Sequence, residues 1–192
     1  MVRARNLSKR FDTRRIFDKV DIDLDVGGFL LVTGPNGSGK TTLLRVLAGL
    51  AAPTGGELEL PVRGEIGYLG HEPLVYKQLT PHENLTLFAR LYRVPDREQR
   101  IRSLLERFAL WDVRDKEVAT FSRGMQQRLG LGRVLLHEPK LLILDEPFNA
   151  LDTAGAALLD EELATRSARA VVVATHDPER VEGLATERLG FA

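Results

Sequence analysis

Residues 34–41, GPNGSGKT, fit the pattern G-x-x-x-x-G-K-[ST] of a phosphate-binding loop. A continuously apolar run, FLLVT at 29–33, precedes the loop, and a helical pattern, KTTLLRVLAGL, follows it. Glycines allow backbone amides to converge on phosphate oxygens, and the start of a helix adds a positive dipole. The segment therefore predicts a nucleoside triphosphate site. The alternative is a glycine-rich turn with an exposed lysine.

Two residues of this loop carry distinct chemistry. Lys40 is expected to reach the β- and γ-phosphates as a point charge, and the hydroxyl of Thr41 is expected to ligate Mg²⁺. Mg²⁺, bound together with ATP, is the only cofactor that the sequence predicts.

A second polar centre follows another apolar run, LLILD at 141–145. Ligands of parallel sheets bind beyond the carboxyl ends of the strands, where Asp145 and Glu146 are expected to lie. Asp145 is predicted to hold Mg²⁺, either directly or through another ligand of the ion, and Glu146 to act as the general base for the water that attacks the γ-phosphate. The alternative is a solvated acidic turn at the end of a strand.

Composition limits the class of protein. The chain has 192 residues, 43% apolar and 28% charged, with 27 basic and 27 acidic side chains and no cysteine. These values are typical of a globular domain and give no overall attraction to nucleic acid or anionic membranes. The adjacent Arg14 and Arg15 are expected to belong to a solvated face, for which a local contact with nucleic acid or an anionic membrane is the alternative. The first residues, MVRARNLSKRF, lack the apolar core of a signal peptide, and no window reaches the length of a membrane span, so a cytoplasmic location is expected.

The remaining patterns predict the elements that position these residues. Strands are expected at 2–7, 16–26, 29–33, 141–145 and 170–175, with two short strands within 57–69. Helical patterns are expected from about 73 to 137, between the last two strands, and over about 178–186. Thr80 and Glu83 form a capping box with a proline between them. This order predicts an α/β core with a mainly parallel sheet and a helical lobe.

Taken together, these motifs resemble the ATP-binding cassette (ABC) family of ATPases over nearly the whole chain. GPNGSGKT resembles the Walker A loop and LLILDE the Walker B strand. FSRGM at 121–125 stands where the family has its LSGGQ signature, NALD at 149–152 resembles the D-loop, and His176 resembles the switch histidine. The resemblance implies a P-loop NTPase core with an N-terminal antiparallel β subdomain (about 1–72 and 138–192) and a helical subdomain (about 73–137).

The family also implies a head-to-tail homodimer that buries two ATP molecules, each between the Walker A loop of one subunit and the signature of the other. Catalytic roles are expected for Glu146, His176 and Lys40. The adenine is expected to stack on Phe11, for which an edge-strand core residue is the alternative. The expected ATP-binding residues are Phe11, Gly34, Pro35, Asn36, Gly37, Ser38, Gly39, Lys40, Thr41 and Thr42.

Two departures from the family pattern bear on activity. The signature keeps Ser122 and Gly124 but has Arg123 and Met125 where the family has glycine and glutamine. Helix capping by Ser122 is retained, so contact with the partner's ATP is expected. His71 stands where the family has a glutamine that contacts Mg²⁺. His71 could replace that glutamine only as a neutral ligand, and a structural loop histidine is the alternative.

The segment GYLGHEPLVYKQLTPHENL at 67–85 resembles the subfamily that exports haem, or a related cargo, for cytochrome c maturation. The expected partners are ATP, a second copy of the chain and an integral membrane subunit, with the protein peripheral on the inner face of the membrane. No nucleic acid partner is expected. Alternatives are an exporter of drugs, lipids or ions, a soluble ABC ATPase acting on nucleic acid or ribosomes, and a degenerate cassette that only binds ATP.

Overall fold

The computed structural model describes residues 1–191. Two sheets and six α-helices make up the fold of this part of the chain. The strands are β1 Val2–Phe11, β2 Arg14–Leu24, β3 Phe29–Thr33, β4 Gly55–Glu59, β5 Ile66–Leu69, β6 Leu141–Asp145, β7 Ala170–Ala174 and β8 Glu187–Gly190. The helices are α1 Lys40–Leu47, α2 Pro81–Leu91, α3 Arg97–Arg107, α4 Arg123–Leu135, α5 Thr153–Ala164 and α6 Glu179–Glu182.

The larger sheet is parallel and has the strand order β5-β6-β7-β3-β8. Its three central strands are apolar except for Thr33 and Asp145 at the ends of β3 and β6, as expected for strands that are covered on both faces. Alternate residues of β3 enter different cores: Phe29 and Leu31 pack with apolar side chains of α2 to α5, while Leu30 and Val32 pack with α1 and the smaller sheet. The result is a three-layer α/β fold.

The smaller sheet is antiparallel, with the order β2-β1-β4. Its long β1–β2 hairpin alternates buried apolar and exposed acidic residues over VDIDL at 20–24, so one face packs on the core and the other meets solvent. The expected α/β class, parallel sheet and antiparallel N-terminal sheet are all confirmed.

The helices begin and end near the predicted positions. The capping box is present: the Thr80 hydroxyl accepts from the Glu83 amide at 3.2 Å, and the Glu83 carboxylate accepts from the Thr80 amide at 2.9 Å. The helical pattern does not start at about 73, however, because residues 71–80 form a loop and α2 begins only at Pro81. We call this segment the 71–80 loop.

The prediction for the C-terminal region is wrong in one respect. A single helix was expected over about 178–186, but α6 ends at Glu182 and the four residues Glu187–Gly190 form the strand β8. The Thr186 hydroxyl accepts from the Phe29 amide at 2.9 Å and so anchors this strand beside β3. The sequence ERLG lacks a clear apolar alternation because β8 is a half-exposed edge strand.

Candidate functional site

The carboxyl ends of four parallel strands bring the predicted chemistry to one edge of the sheet. The order along this edge is β5, β6, β7 and β3. His71 follows β5, Asp145 and Glu146 end β6, His176 follows β7, and the phosphate loop follows β3. Residues far apart in sequence therefore meet because the strands are parallel and their ends coincide.

The phosphate loop connects β3 to α1 in a conformation that needs glycine. Gly34 has φ 142° and Gly39 has φ 113°, a region that side chains with a Cβ rarely adopt. Gly39 is the residue before α1, and neither a capping side chain nor an acidic residue occupies the first turn. The first amides of α1 are therefore available to an anion, and the helix dipole favours one there.

Lys40 is buried, with 7% of its surface exposed, yet it forms no ion pair with any described residue. Its ammonium donates to the carbonyl oxygens of Gly34 at 2.7 Å and Pro35 at 3.1 Å. A buried charge requires such partners. The loop thus satisfies the lysine with its own carbonyls and folds around the place where phosphate oxygens are expected.

The phosphate loop rests on Phe191, which sequence reasoning did not identify. The Phe191 amide donates to Thr33 at 2.8 Å, and its ring packs edge-on against Phe17 with the centroids 6.2 Å apart. A Cβ at Gly34 would lie 2.7 Å from the Phe191 carbonyl oxygen, so the backbones make a close contact that only glycine permits. No motif signals this role, because it follows from the unexpected strand β8.

Asp145 and Glu146 both line the same cleft, although neighbours in a strand point to opposite faces. Glu146 breaks the alternation because its backbone has φ 50°, in the left-handed region. Asp145 is buried, and its Oδ2 has no hydrogen-bond partner among the described residues. Burial raises the pKa of Asp145, and a hydrogen bond from Thr41 opposes that rise.

The carboxylate of Glu146 contacts His176. Its Oε2 lies 2.8 Å from Nδ1 of His176 and accepts from the His176 backbone amide at 3.2 Å. Since the carboxylate can only accept, Nδ1 carries the proton in this contact. Glu146 is largely buried and His176 largely exposed, with 13% and 63% of their side-chain surfaces accessible. The pair therefore has the arrangement of a base held by an orienting imidazole.

These groups line a cleft of about 710 Å³, which we call the nucleotide cleft. His71 lies between it and a second cleft formed largely by the 71–80 loop and α4, and lines both. The residues that line the nucleotide cleft are Arg14, Ile16, Asn36, Gly37, Gly39, Lys40, Thr41, Thr42, His71, Asp145, Glu146, Asn149 and His176.

Other predicted residues lie at the margin of this cleft or away from it. Ser38 has a buried hydroxyl that lacks a partner among the described residues, and Gly34 and Pro35 contribute carbonyls to Lys40. Phe11 is 53% exposed and its ring lies 4.9 Å from the Lys9 ammonium. Its aromatic surface is therefore accessible, as stacking on a base requires.

The signature residues are not brought together with the phosphate loop of their own chain. None of residues 121–125 lines the nucleotide cleft, whereas Arg123 lines the second cleft. The Ser122 hydroxyl accepts from the Met125 amide at 3.2 Å and caps α4. Met125 packs against the core below the helical lobe, so it replaces glutamine with an apolar contact.

Helix α4 connects the signature to both catalytic loops. A Cβ at Gly124 would lie 3.0 Å from the Ala150 carbonyl, so the start of α4 contacts the 149–152 turn closely. Gln127 donates to the Pro147 carbonyl at 3.1 Å. Arg133 donates to the carbonyls of Pro73 and Tyr68, each at 3.2 Å. One helix therefore holds the turn after Glu146 and the 71–80 loop together.

The 149–152 turn contributes one residue to the clefts and another to the cap of a helix, which the motif alone did not reveal. Asn149 lines both clefts, and its amide donates to the Glu146 carbonyl at 3.2 Å. Asp152 caps α5 by accepting from the Gly155 amide at 2.7 Å. The acid of this turn is thus used for helix capping, and the asparagine faces the clefts.

Sequence comparison gives relatives along the whole length of the chain. The cytochrome c biogenesis ATP-binding export protein CcmA of Pseudomonas putida is 38% identical over 91% of this chain and 89% of its own length. The lantibiotic transport ATP-binding protein SrtF of Streptococcus pyogenes is 34% identical over 100% of this chain and 86% of its own. The uncharacterized ABC transporter ATP-binding protein YdbJ of Bacillus subtilis is 36% identical over 93% of this chain, and this chain spans only 62% of the length of YdbJ.

Comparison with solved structures also finds ATP-binding subunits of this kind. The ATP-binding subunit of an ABC transporter superposes with a TM-score of 0.91 at 27% identity, over 99% of this chain and 85% of that one. A dimeric post-hydrolysis state of the ATP-binding cassette MJ0796, bound to ADP and Pi, superposes with a TM-score of 0.87 at 25% identity. The superposition covers 100% of this chain and 94% of the MJ0796 chain. The family model described as ABC transporter matches residues 17–149. The chain therefore belongs to the ABC transporter family and carries its ATPase domain.

Proposed function

We propose that the protein is the ATP-hydrolysing subunit of an ABC exporter that carries haem, or a related cargo, for cytochrome c biogenesis through a separate membrane subunit. The observation that carries the ATPase role is the meeting of Lys40, Asp145, Glu146 and His176 at one edge of the sheet. The export role rests on similarity to CcmA over most of both chains.

In the proposed reaction, the phosphates of ATP replace the loop carbonyls as the partners of Lys40. The ammonium is already desolvated by burial, so exchanging two carbonyls for anionic oxygens strengthens its interactions. Backbone amides at the start of α1 then complete the phosphate site. Binding energy comes from groups that the fold has already oriented.

The residues around Asp145 fit a Mg²⁺ ion. Mg²⁺ prefers hard oxygen ligands. The hydroxyl of Thr41 and the buried Oδ2 of Asp145, which has no partner among the described residues, would supply them. When bound, the ion neutralises the charge that develops on the phosphates. The imidazole of His71 lines the same cleft, but nitrogen is a poorer ligand for this ion. We therefore assign Thr41 and Asp145 as ligands, with His71 contacting the site only in its neutral form.

Glu146 is proposed to take a proton from the attacking water. His176 holds this carboxylate through its backbone amide and its ring, so one oxygen of Glu146 is fixed while the other remains able to accept. The exposed imidazole is in a position to turn toward the γ-phosphate once ATP is bound. In phosphoryl transfer, positioning of the attacking water is one of the main contributions that a protein makes to catalysis.

The separation of the signature from the chain's own nucleotide cleft supports a dimer in which each signature serves the partner's ATP. The capped start of α4 offers a hydroxyl and a positive helix end to a γ-phosphate. The similar MJ0796 cassette is dimeric. We propose that two copies of this chain bind two ATP molecules in the same head-to-tail arrangement.

None of the helices that the structure describes has the length and apolar character needed to cross a bilayer. We propose a separate membrane subunit that contacts the 71–80 loop from the cytoplasmic side. This loop exposes Leu74 and Tyr76, with 58% and 52% of their surfaces accessible, beside the cleft that it shares with α4. A second candidate cargo is a peptide, because SrtF matches the entire chain.

Hydrolysis and dimerisation are tested with Glu146→Gln. This variant should retain ATP binding, lose most turnover and accumulate as an ATP-bound dimer in size-exclusion chromatography. Lys40→Ala should bind ATP weakly and should not hydrolyse it, because the cation that contacts the phosphates is removed. Wild-type turnover in Lys40→Ala would contradict the assignment of the phosphate loop, and a Glu146→Gln protein that stays monomeric with ATP would contradict the sandwich.

The cargo is tested by deleting the gene and measuring covalently attached haem in c-type cytochromes. Loss of these cytochromes, restored by the wild-type gene and not by Lys40→Ala, is the expected result. Affinity purification from native membranes should recover the membrane subunit. Normal cytochrome c content in the deletion strain would exclude the haem assignment and favour the peptide or another cargo.

A further inference from the structure

Two adjacent arginines at the start of β2 have different surroundings. Arg15 forms an ion pair with Asp18 at 3.1 Å. Among the side chains that the structure describes, none forms a hydrogen bond or ion pair with Arg14, and Arg14 lines the nucleotide cleft. Both are exposed, as the sequence indicated, but Arg14 is an unpaired cation beside an anion-binding loop.

The strand register shows which way this part of the hairpin faces. Phe11 is paired directly with Arg14, and residues opposed in an antiparallel pair project from the same face. Ile16, two residues further along β2, lines the nucleotide cleft together with Arg14. A Cβ at Gly39 would lie 2.9 Å from Cγ2 of Ile16, so Ile16 contacts the phosphate loop. The face that carries Phe11, Arg14 and Ile16 therefore borders the nucleotide cleft.

The distance between Arg14 and Ile16 along β2 indicates which part of a bound nucleotide would lie beside Arg14. Two residues of a strand cover about 7 Å, so Arg14 lies roughly that far from the Ile16 contact with the loop. A nucleotide whose base stacks on Phe11 and whose terminal phosphates meet Lys40 has its α-phosphate between these points. Lys40 is the only other lysine or arginine among the cleft-lining residues that the structure describes, and it belongs to α1 and not to the hairpin.

We propose that Arg14 binds the α-phosphate of the nucleoside di- or triphosphate in this cleft. This inference rests on the proposed ATPase function. A guanidinium suits the task because its fork of N–H donors matches two phosphate oxygens and stays charged at all working pH values. The α-phosphate is not cleaved, so Arg14 is a binding residue that acts on substrate and product alike.

The test compares Arg14→Ala with Arg15→Ala, a matched control one residue away on the same strand. Dissociation constants for MgATP and MgADP would be measured by isothermal titration calorimetry. Arg14→Ala should weaken the binding of both nucleotides by about tenfold, as expected for the loss of one charge-assisted contact. Arg15→Ala should stay within about twofold of wild type.

The outcomes separate this inference from the function on which it rests. If the wild-type protein bound no ATP, the proposed function itself would be wrong. If the wild type bound ATP and Arg14→Ala matched it, only the role of Arg14 would be overturned. Weaker binding of ATP with unchanged binding of ADP would overturn the α-phosphate assignment, since it would place the contact at the γ-phosphate. Arg14→Lys provides a second variant that keeps the charge and should recover part of the affinity.

Discussion

Gly130 and Gly132 lie two residues apart in helix α4, and the structure predicts opposite effects of replacing each by alanine. A Cβ at Gly130 would lie 2.6 Å from the Cβ of Pro73 and 3.1 Å from the Cδ1 of Leu69. A Cβ at Gly132 would meet Phe108 at 3.7 Å and Leu85 at 3.9 Å, which are ordinary contacts. Gly130→Ala thus requires the 71–80 loop to shift, whereas Gly132→Ala fills available space.

The magnitudes follow from two opposing terms. Replacing glycine by alanine inside a helix gains about 1 kcal/mol because the unfolded chain loses conformational freedom. At Gly132 this gain is unopposed, so we expect stabilisation by about 1 kcal/mol. At Gly130, overpacking against a rigid proline ring costs about 1 to 3 kcal/mol, which leaves a net destabilisation of up to about 2 kcal/mol. The two variants should therefore differ by about 1 to 3 kcal/mol.

Urea unfolding followed by circular dichroism measures both free energies of unfolding in one experiment. ATP hydrolysis supplies an independent test, because displacement of Pro73 moves the loop that begins at His71. We expect reduced turnover in Gly130→Ala and normal turnover in Gly132→Ala. Equal stabilisation of the two variants would show that α4 does not press on the 71–80 loop, and would refute the close contact.

Three further predictions concern other parts of the fold. Thr80→Ala removes the cap of α2 and should lower the free energy of unfolding by about 1 kcal/mol in the same urea assay, whereas Thr80→Ser should change it little. Burial lowers the pKa of His137, whose ring stacks on Tyr92 at 4.0 Å and whose Nε2 donates to the Ile66 carbonyl at 3.2 Å. In the unfolded chain His137 takes up a proton as the pH falls below about 6.5, whereas the buried imidazole of the folded protein resists protonation. The contribution of His137 to the free energy of unfolding is therefore fully present above that pH and declines below it. His137→Gln should make this decline shallower, and equal slopes for variant and wild type would contradict the assignment. Phe191→Ala removes the ring beneath the phosphate loop and should weaken MgATP binding in calorimetry while the parallel sheet stays folded by circular dichroism; unchanged affinity would exclude a supporting role.

The motifs of the site could be located from sequence because each is local. The phosphate loop, the acidic pair and the capping box each depend on residues a few positions apart. The parallel sheet was also predictable, since runs such as FLLVT and LLILD are typical of strands that are buried on both faces. Local pattern was therefore sufficient wherever the structural role was itself local.

The features that sequence did not provide depend on contacts between distant segments. Arg14 and Arg15 look alike in sequence, and only the hairpin register and the position of Asp18 distinguish them. Strand β8 and the support that Phe191 gives to the loop were missed because an edge strand of four residues has no distinctive pattern. The contact of Glu146 with His176 likewise requires β6 and β7 to be neighbours.

The position of β3 has a consequence for synthesis of the protein on the ribosome. This strand, at Phe29–Thr33, pairs only with β7 and β8 among the described strands, and both lie about 140 residues or more further along the chain. An extended apolar strand without partners is prone to aggregation, and long-range pairing is slow. The nascent chain must therefore keep β3 covered until nearly all of the domain has been made. Nucleotide can stabilise the phosphate loop only after that point, so ATP is expected to act late in folding.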